Sequence, residues 1–533
     1  VEESRKMACE IIVRNNWCQL YKKGKSFPSD LLDNALSFFV EDYERTKAYK
    51  DKKWDGKRHL LYEKPYGYSF RTGLLNKVLL ILDVNNYPYR ITQKRQFVTP
   101  VAVKYEWNFP HDLWEHQAKS FVKGMKKERG IFEIGMGGGK TILMAKLIHA
   151  IENSANCFVQ RTIIARQNEG VFKEVLGRCG FIGEGEFRPE KLNVIMLQTA
   201  YSAYIHTVTL DKKVKPKDAL PSNTRIYKQE EKKVREGKKW VEKIIYHIYR
   251  KGTKFDTFIY KTIRDIVEKA NVSLFDEVQH LGASTYYFVS QKLNSRYIFG
   301  FSATPYRMGG DDLLIESGVA QKIVRYPIKY LIEKGILIRP KIELLELPYQ
   351  YFSPQATWNQ VYRDGIIANE KRNKRVIKRT LELVTDEEMI GIVSVFRINH
   401  GKRLTSTLKE EGIKAEFLYG ETPPKERDVM IPDLKHRRLD VLVSNILGEG
   451  FDLPELEFLT FAKGLGKDQP NKLSILIIQE SGRLFRKKPN GKIPILVDFV
   501  DRAKWLFDHF KARVRTYLSF GCKFNLPRGV RVE

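Results

Sequence analysis

Gly130-Ile131-Phe132-Glu133-Ile134-Gly135-Met136-Gly137-Gly138-Gly139-Lys140-Thr141 is the stretch on which the reading of this 533-residue chain turns. The run from Gly130 to Ile134 is short and apolar, as a buried strand is, and from Thr141 to Ile151 apolar residues recur at helical spacing. A strand, a glycine loop and a helix in that order make a phosphate cradle. Successive backbone N–H groups and a helix N-terminus face the anion, with Gly135, Gly137, Gly138 and Gly139 supplying the close approach. Lys140 brings a point charge to the β/γ-phosphates and Thr141 a hydroxyl to Mg²⁺. The strict pattern also asks for a glycine six residues ahead of the lysine, and Ile134 stands there instead.

Downstream, Val272-Ser273-Leu274-Phe275 is a second buried-strand run and ends in Asp276-Glu277-Val278-Gln279-His280. Ligand sites of open parallel sheets lie at the carboxyl ends of strands, where these two acids belong. Asp276 is placed to hold Mg²⁺ directly or through water, and Glu277 to orient or deprotonate an attacking water. Phe299-Gly300-Phe301-Ser302-Ala303-Thr304-Pro305 ends another strand with small hydroxyl residues. Ser302 and Thr304 are candidates for coupling nucleotide state to a second lobe; the plainer reading is a strand-ending turn before Pro305. In Gln479-Glu480-Ser481-Gly482-Arg483-Leu484-Phe485-Arg486 the arginines stand three apart, a spacing that on a helix puts both guanidiniums on one face, suited to phosphate oxygens.

The chain is too long for one core. Its 93 Lys+Arg against 64 Asp+Glu give a net charge of +29, which points to a polyanionic partner. Five scattered cysteines (Cys9, Cys18, Cys157, Cys179, Cys522) show no metal-ligand spacing and read as reduced thiols of a cytoplasmic protein. No apolar run reaches the roughly 18 residues of a membrane span; Leu74 to Val84 is broken by Lys77. The start, Val1-Glu2-Glu3-Ser4, is no secretion signal, and without an initiator Met the chain is expected to be trimmed.

Four segments are expected. Residues 1–108 read as a small α+β domain, with helical patterning from Ser29 to Tyr43 and a strand-like run from Val78 to Leu82. Residues 109–330 and 331–510 each alternate short strands with helices, which implies parallel sheets with crossover helices. Residues 511–533 read as a basic C-terminal segment. From Asp211 to Lys254 there are 15 Lys/Arg against 6 Asp/Glu around Trp240, Tyr246 and Tyr249. That insertion is either a solvated excursion or an arm whose cations meet phosphates while its aromatics stack on bases.

Taken together, Leu113-Trp114-Glu115-His116-Gln117, the glycine loop, Asp-Glu-Val-Gln, Ser-Ala-Thr, the loop Glu449-Gly450-Phe451-Asp452 and Gln479…Arg483…Arg486 resemble the ordered motifs of the superfamily 2 helicases. The resemblance spans about residues 109 to 510 and implies two tandem RecA-like parallel-sheet domains behind the α+β front domain. It implies ATP and Mg²⁺ as cofactors, with Gln117 reading the adenine and Lys140, Thr141, Asp276 and Glu277 serving hydrolysis. Gln479, Arg483 and Arg486 would complete the site from the second lobe, while Gly450 and Asp452 link nucleotide to strand. Thr199 is a further candidate strand contact, and the first-lobe strand motif is present only loosely near Arg161 to Gln167. Gln279 departs from the family, whose nearest relatives often carry histidine there.

Within the front segment, Lys52-Lys53-Trp54-Asp55-Gly56-Lys57-Arg58, with Leu61-Tyr62 and Thr72-Gly73-Leu74-Leu75, resembles the front domain of phage branch-migration helicases of the UvsW kind. Trp54 could stack on a base or wedge a junction while Lys52, Lys53, Lys57 and Arg58 grip phosphates; equally, Trp54 could anchor a small core. The resemblance implies a monomeric, DNA-dependent motor acting on forked or branched duplex in recombination or repair, in the host cytoplasm if phage-encoded. Open beside it stand another motor of the same superfamily (an RNA helicase, an XPB-like repair helicase or a restriction-complex translocase) and a non-catalytic nucleic-acid-binding protein. ATPase activity separates the last from the rest.

Overall fold

The computed structural model describes residues 9–22, 27–97, 109–151, 153–212, 214, 220, 224–236, 239–306, 311–447, 456–465 and 475–530. They form two compact units, Val1–Glu133 with Lys140–Arg325, and Ile134–Gly139 with Tyr326–Glu533. The sequence border near residue 108 therefore divides one body: a single buried apolar cluster runs from Cys9, Leu20, Phe70 and Leu82 of the front segment to Phe275, Phe288 and Leu314.

The front segment contains β1 (Cys9–Val13), β2 (Trp17–Lys22), β3 (Ser37–Phe39), β4 (Lys57–His59), β5 (Tyr62–Lys64), β6 (Gly67–Arg71) and β7 (Tyr89–Gln93). Five of these make a mixed sheet in the order β5-β6-β2-β1-β7, and β3 pairs with β4 in a separate ribbon. The run Val78 to Leu82, expected as a strand, lies in the helix Leu75–Val84. Val78 and Leu82 are fully buried whereas Leu80 is 61% exposed. A strand would put all three on one face, so the helical period decides. The patterning from Ser29 to Tyr43 holds as helix only over Ser29–Ala35 before the chain enters β3.

The first parallel sheet is built from β8 (Arg129–Ile134), β9 (Ala155–Val159), β10 (Gly180–Gly183) and β12 (Leu192–Met196), with β11 (Glu186–Arg188) as an antiparallel edge strand on β10, and continues after an excursion. That excursion is the basic insertion: β13 (Ile205–Asp211), β14 (Ile226–Glu236) and β15 (Lys239–Tyr249) form an antiparallel sheet in the order β13-β15-β14. With β16 (Val272–Asp276), β17 (Tyr297–Ser302) and β18 (Lys322–Tyr326) the main sheet runs β11-β10-β12-β9-β16-β17-β8-β18. Strands β8, β9, β16 and β17 are buried along their whole length, as continuous apolar strands of a parallel sheet are.

The second unit holds β19 (Lys341–Glu346), β20 (Gly391–Ser394), β21 (Ala415–Leu418), β22 (Val441–Ser444), β23 (Phe458–Thr460) and β24 (Ile495–Val500). They form a parallel sheet in the order β19-β24-β23-β20-β22-β21. Two parallel-sheet domains behind a small α+β element are what the sequence led one to expect. The basic C-terminal segment opens inside a regular element. Residues 511–519 complete the helix Leu506–Ser519. On it the Arg513 guanidinium, fully buried, donates to Asp498 at 2.8 Å, and the Tyr517 hydroxyl donates to the same carboxylate at 2.9 Å. Arg513 is a core ion-pair partner and not a surface cation.

Among the described residues no helix is long and apolar enough to cross a membrane. All five cysteines are buried and unbridged. Burial pushes the Cys9 thiol up to about 11 and the Cys18 thiol up to about 12, so neither is a reactive thiolate near neutrality.

Candidate active site

The glycine loop emerges from β8 and the helix Lys140–Ile151 begins at its lysine. Gly137 and Gly139 take φ of +75° and +73°, a left-handed backbone that only glycine adopts cheaply. Gly138 is different, because its limit is space. A β-carbon there would stand 2.5 Å from Ile134 Cγ2 and 2.9 Å from Leu331 Cδ1. Ile134, which breaks the strict pattern, is fully buried, so its side chain lies beneath the loop while the cradle itself stays clear. The Gly135 N–H donates to the Tyr326 carbonyl at 2.9 Å and the Gly138 N–H to the Gly135 carbonyl at 3.1 Å. Within the second unit the loop also neighbours Arg486, whose Cγ would lie 3.5 Å from a β-carbon on Gly137.

Asp276 ends β16, between β9 and β17, and Ser302 ends β17, which pairs with β8. Three of the expected motifs, the glycine loop, Asp276-Glu277 and Ser302-Ala303-Thr304, thus sit at the carboxyl ends of strands of one sheet. Asn168, buried on the helix Thr162–Leu176, connects two of them. Its Nδ2 donates to Asp276 Oδ2 at 2.9 Å, and its Oδ1 lies 3.4 Å from the Thr141 hydroxyl that donates to it. Sequence reading missed this residue. A signal was there: of the helix's six buried residues, Ile164, Ala165, Asn168, Glu169, Phe172 and Val175, only Asn168 and Glu169 are polar, and Glu169 is paired with Arg166, Lys173 and Arg188.

Glu277 follows in a left-handed conformation, φ +50°, with its N–H donating to Asp276 Oδ1 at 3.0 Å. A non-glycine residue held there is strained by about 1–3 kcal/mol, a cost usually met at functional turns. Gln279, buried, donates from Nε2 to Glu277 Oε2 at 2.9 Å. The residue that departs from the family is therefore the one that orients the proposed base. Ser302 and Thr304 are both buried, and the Ser302 hydroxyl accepts from the Thr304 N–H at 2.9 Å, so that hydroxyl holds the strand-ending turn. The Gln117 side-chain oxygen accepts from the Trp114 N–H at 2.8 Å, which caps the helix Glu115–Lys127 and fixes Gln117 in place.

In the second unit the helix Ile475–Ser481 carries Gln479 but ends before the arginines. Arg483 and Arg486 thus do not share a helix face as their spacing suggested. Gly482 is the reason: it disfavours helix and is packed so closely that a β-carbon would lie 2.7 Å from the Ile478 carbonyl and from Met136 Sδ. The Arg483 guanidinium turns back to donate to the Gln479 carbonyl at 2.8 Å and the Leu447 carbonyl at 3.1 Å, capping that helix. Gly450 and Asp452, with Glu449, lie outside the described residues.

The donor set fits Mg²⁺. A hydroxyl and a carboxylate joined through one buried amide are hard oxygen donors, and Mg²⁺ is commonly held by one or two such protein groups together with substrate phosphates. The left-handed backbone at Gly137 and Gly139 gives the loop the tight turn that a phosphate cradle needs.

On the front segment, Lys52, Lys53, Trp54, Lys57 and Arg58 come together around one turn. The Trp54 indole N–H donates to the Lys57 carbonyl at 2.7 Å and the Lys57 N–H to Asp55 at 3.0 Å. Lys52 and Lys53 are exposed, while the Lys57 ammonium stands 5.2 Å from the Phe39 ring centroid. Arg58 stacks over Tyr287 of the first parallel-sheet domain at 5.3 Å. Thr199 sits half-buried on the helix Leu197–Ser202 beyond β12. In the insertion, Tyr246 is buried and serves the fold, while Tyr249 is half-buried and lies 6.3 Å from Phe288 between ring centroids.

Two family models match the chain: the type III restriction enzyme res subunit over residues 104–307 and the helicase conserved C-terminal domain over residues 373–488. The chain belongs to the superfamily 2 helicases. It carries both domains of an ATP-dependent helicase. A helicase-named protein of a Sulfolobus islandicus filamentous virus is 24% identical over 91% of this helicase and 80% of its own length. A Halobacterium salinarum protein named as a Rad25 DNA 3'-5' helicase is 27% identical over 49% of this helicase and 40% of its own length. The chain spans 40% to 50% of the length of the Rad25-named proteins and of a Lactococcus phage 51.5 kDa protein that it also matches. Among solved structures, T4 UvsW aligns over 96% of this helicase and 98% of that chain, at 16% identity and a TM-score of 0.40. Membership rests on the family models, not on that superposition.

Proposed function

We propose that this helicase is an ATP- and Mg²⁺-dependent DNA translocase that unwinds and branch-migrates forked or four-way-junction DNA in the cytoplasm. One observation carries the catalytic part: Thr141 and Asp276 are joined through Asn168, beside a Glu277 oriented by Gln279. Bound there, Mg²⁺ would neutralise charge on the β- and γ-phosphates. Lys140 and the loop N–H groups bind the phosphates. Glu277 takes the proton of the attacking water, its carboxylate aimed by the Gln279 amide. In this reading, which follows the family resemblance, Arg486 would meet charge that develops on the transferred phosphoryl group.

The nucleic-acid part is supported by charge and by the front turn. A net charge of +29 favours a polyanion with little sequence selectivity and with binding that weakens steeply as salt rises. The turn of Trp54 presents exposed Lys52 and Lys53 beside a half-buried indole. The test is steady-state ATPase with single-stranded DNA, linear duplex, four-way junction and RNA, with junction conversion followed in parallel. Lys140→Ala, Glu277→Gln and Arg486→Ala should each abolish turnover and leave DNA binding largely intact. Stimulation by RNA alone would overturn the DNA assignment and keep the motor. DNA stimulation without junction conversion would favour a repair or restriction-type translocase, and no turnover with any substrate would refute the enzyme.

A further inference from the structure

We propose that Asn168 is a positioning residue that sets the proton of Thr141 and the carboxylate of Asp276 so that both present lone pairs to a divalent cation. The inference rests on the nucleotide-site reading above and extends it to a side chain outside the motifs. Asn168 is 2% exposed, so its amide exchanges little with solvent. An ionised carboxylate only accepts hydrogen bonds, so the group facing Asp276 Oδ2 at 2.9 Å must be the amide nitrogen. The amide oxygen is then committed to the Thr141 side, 3.4 Å from its hydroxyl.

That polarity matters for the metal. A hydroxyl that ligates a cation must aim a lone pair at it and send its proton elsewhere. Asn168 Oδ1 is the acceptor that draws the Thr141 proton away from the phosphate side. At 3.4 Å the bond is long for O–H···O, as bonds at catalytic positions commonly are before the substrate is in place. On the other partner, Asp276 is held at both oxygens, Oδ2 by Asn168 and Oδ1 by the Glu277 N–H at 3.0 Å, so its plane is fixed. One amide thus sets the orientation of two groups that come from distant stretches of the chain. Such outer partners typically change metal affinity by about 10- to 100-fold when removed.

The position explains why an amide stands among Ile164, Ala165, Phe172 and Val175. Leucine, close in size, would pack against these neighbours and leave the Asp276 and Thr141 side chains unfixed. A carboxylate would set two acceptors face to face and leave Asp276 Oδ2 without its donor.

The test uses the full chain, a fluorescent ATP analogue and direct binding. Metal-free affinity is measured in EDTA, and the Mg²⁺ midpoint by titrating the metal at fixed nucleotide. Asn168→Leu should keep metal-free affinity within about twofold and raise the Mg²⁺ midpoint about tenfold or more. If Asn168→Leu does not fold, Asn168→Ala takes its place in the same titration. An unchanged Mg²⁺ midpoint overturns the proposal, as does an equal loss of affinity with and without metal. Should the wild type bind the nucleotide with no response to Mg²⁺, the site reading fails, and this proposal with it.

Discussion

Gly138→Ala gives the sharpest test of how the phosphate cradle is built. Gly138 needs no left-handed backbone, so the cost of the added methyl is steric. It would enter at 2.5 Å from Ile134 Cγ2, 2.9 Å from Leu331 Cδ1 and 3.1 Å from the Gly135 carbonyl. Carbon atoms rest at about 3.5–4.0 Å, so the first contact must open by about 1 Å and the second by at least about 0.6 Å. Ile134 ends a fully buried strand and Leu331 is fully buried as well, so neither can swing into solvent. Overpacking of this kind costs about 1–3 kcal/mol. If binding must restore the loop, that is about a 5- to 150-fold loss of nucleotide affinity at 1.4 kcal/mol per tenfold. Equilibrium binding of a fluorescent ATP analogue reads it directly. Ile134→Ala removes the nearest atom, so the double variant should recover part of the loss, with a coupling of about 1 kcal/mol. Wild-type affinity in Gly138→Ala, or strict additivity in the cycle, would refute the packing argument.

Further expectations concern the base and acid stability. Gln279→Leu removes a bond to a charged group, worth about 1.5–3 kcal/mol, and should lower kcat about 10- to 150-fold with little change in the KM for ATP. Gln279→His should instead bring a protonation near the imidazole range into the kcat–pH profile, and a flat profile there would count against the Gln279–Glu277 contact. His400 is fully buried, and burial, helped by Arg372 and Arg403, pushes its imidazole from 6.5 down to about 3. Between those values the unfolded chain holds a proton that the folded chain does not, so stability falls as pH is lowered through that window. At pH 5 the loss is about 2 kcal/mol, from 1.5 units at 1.36 kcal/mol each. Urea unfolding at pH 7.5 and pH 5, compared with His400→Gln, isolates it; identical pH dependence in the two proteins would sink the assignment.

The parts of the site that sequence made legible are those in which chemistry and local structure share one stretch. The glycine loop follows an apolar strand, and Asp276-Glu277 ends another, so type and place are read together. Asn168 could not be found that way, because its role exists only once β16 and the phosphate-loop helix are neighbours in space. Its place in the buried stripe was the one local hint. The arginines misled for a different reason. Spacing presumed a helix, and Gly482 ended it one residue after Ser481. Charge obscured the insertion. Its count of lysines and arginines suggested a solvated loop or arm, while β15 buries Tyr246 and Ile248 within a paired sheet. Leu506–Ser519 hid its buried side in the same manner, since Arg513 reads as surface until Asp498 is seen beside it.

The accessory elements converge on one short stretch, and that has a mechanical consequence. Arg71, almost wholly buried, donates to the Ser290 carbonyl at 3.1 Å, and Asn16 donates to the Gln291 carbonyl at 3.4 Å. Arg58 covers Tyr287. From the other side the insertion brings Tyr227 and Tyr249 against Phe288, at 5.1 and 6.3 Å between ring centroids. Residues 287–291 therefore receive both modules, and they begin ten residues beyond Glu277 in the chain. Segments that share a large apolar interface move as one body; free hinging is expected only where the interface is small and polar. The buried cluster that runs unbroken from the front sheet into the first parallel sheet places this protein in the former class. The front sheet is thereby tied to the segment that follows the acid motif, where Asp276 and Glu277 are held by bonds to Asn168 and Gln279.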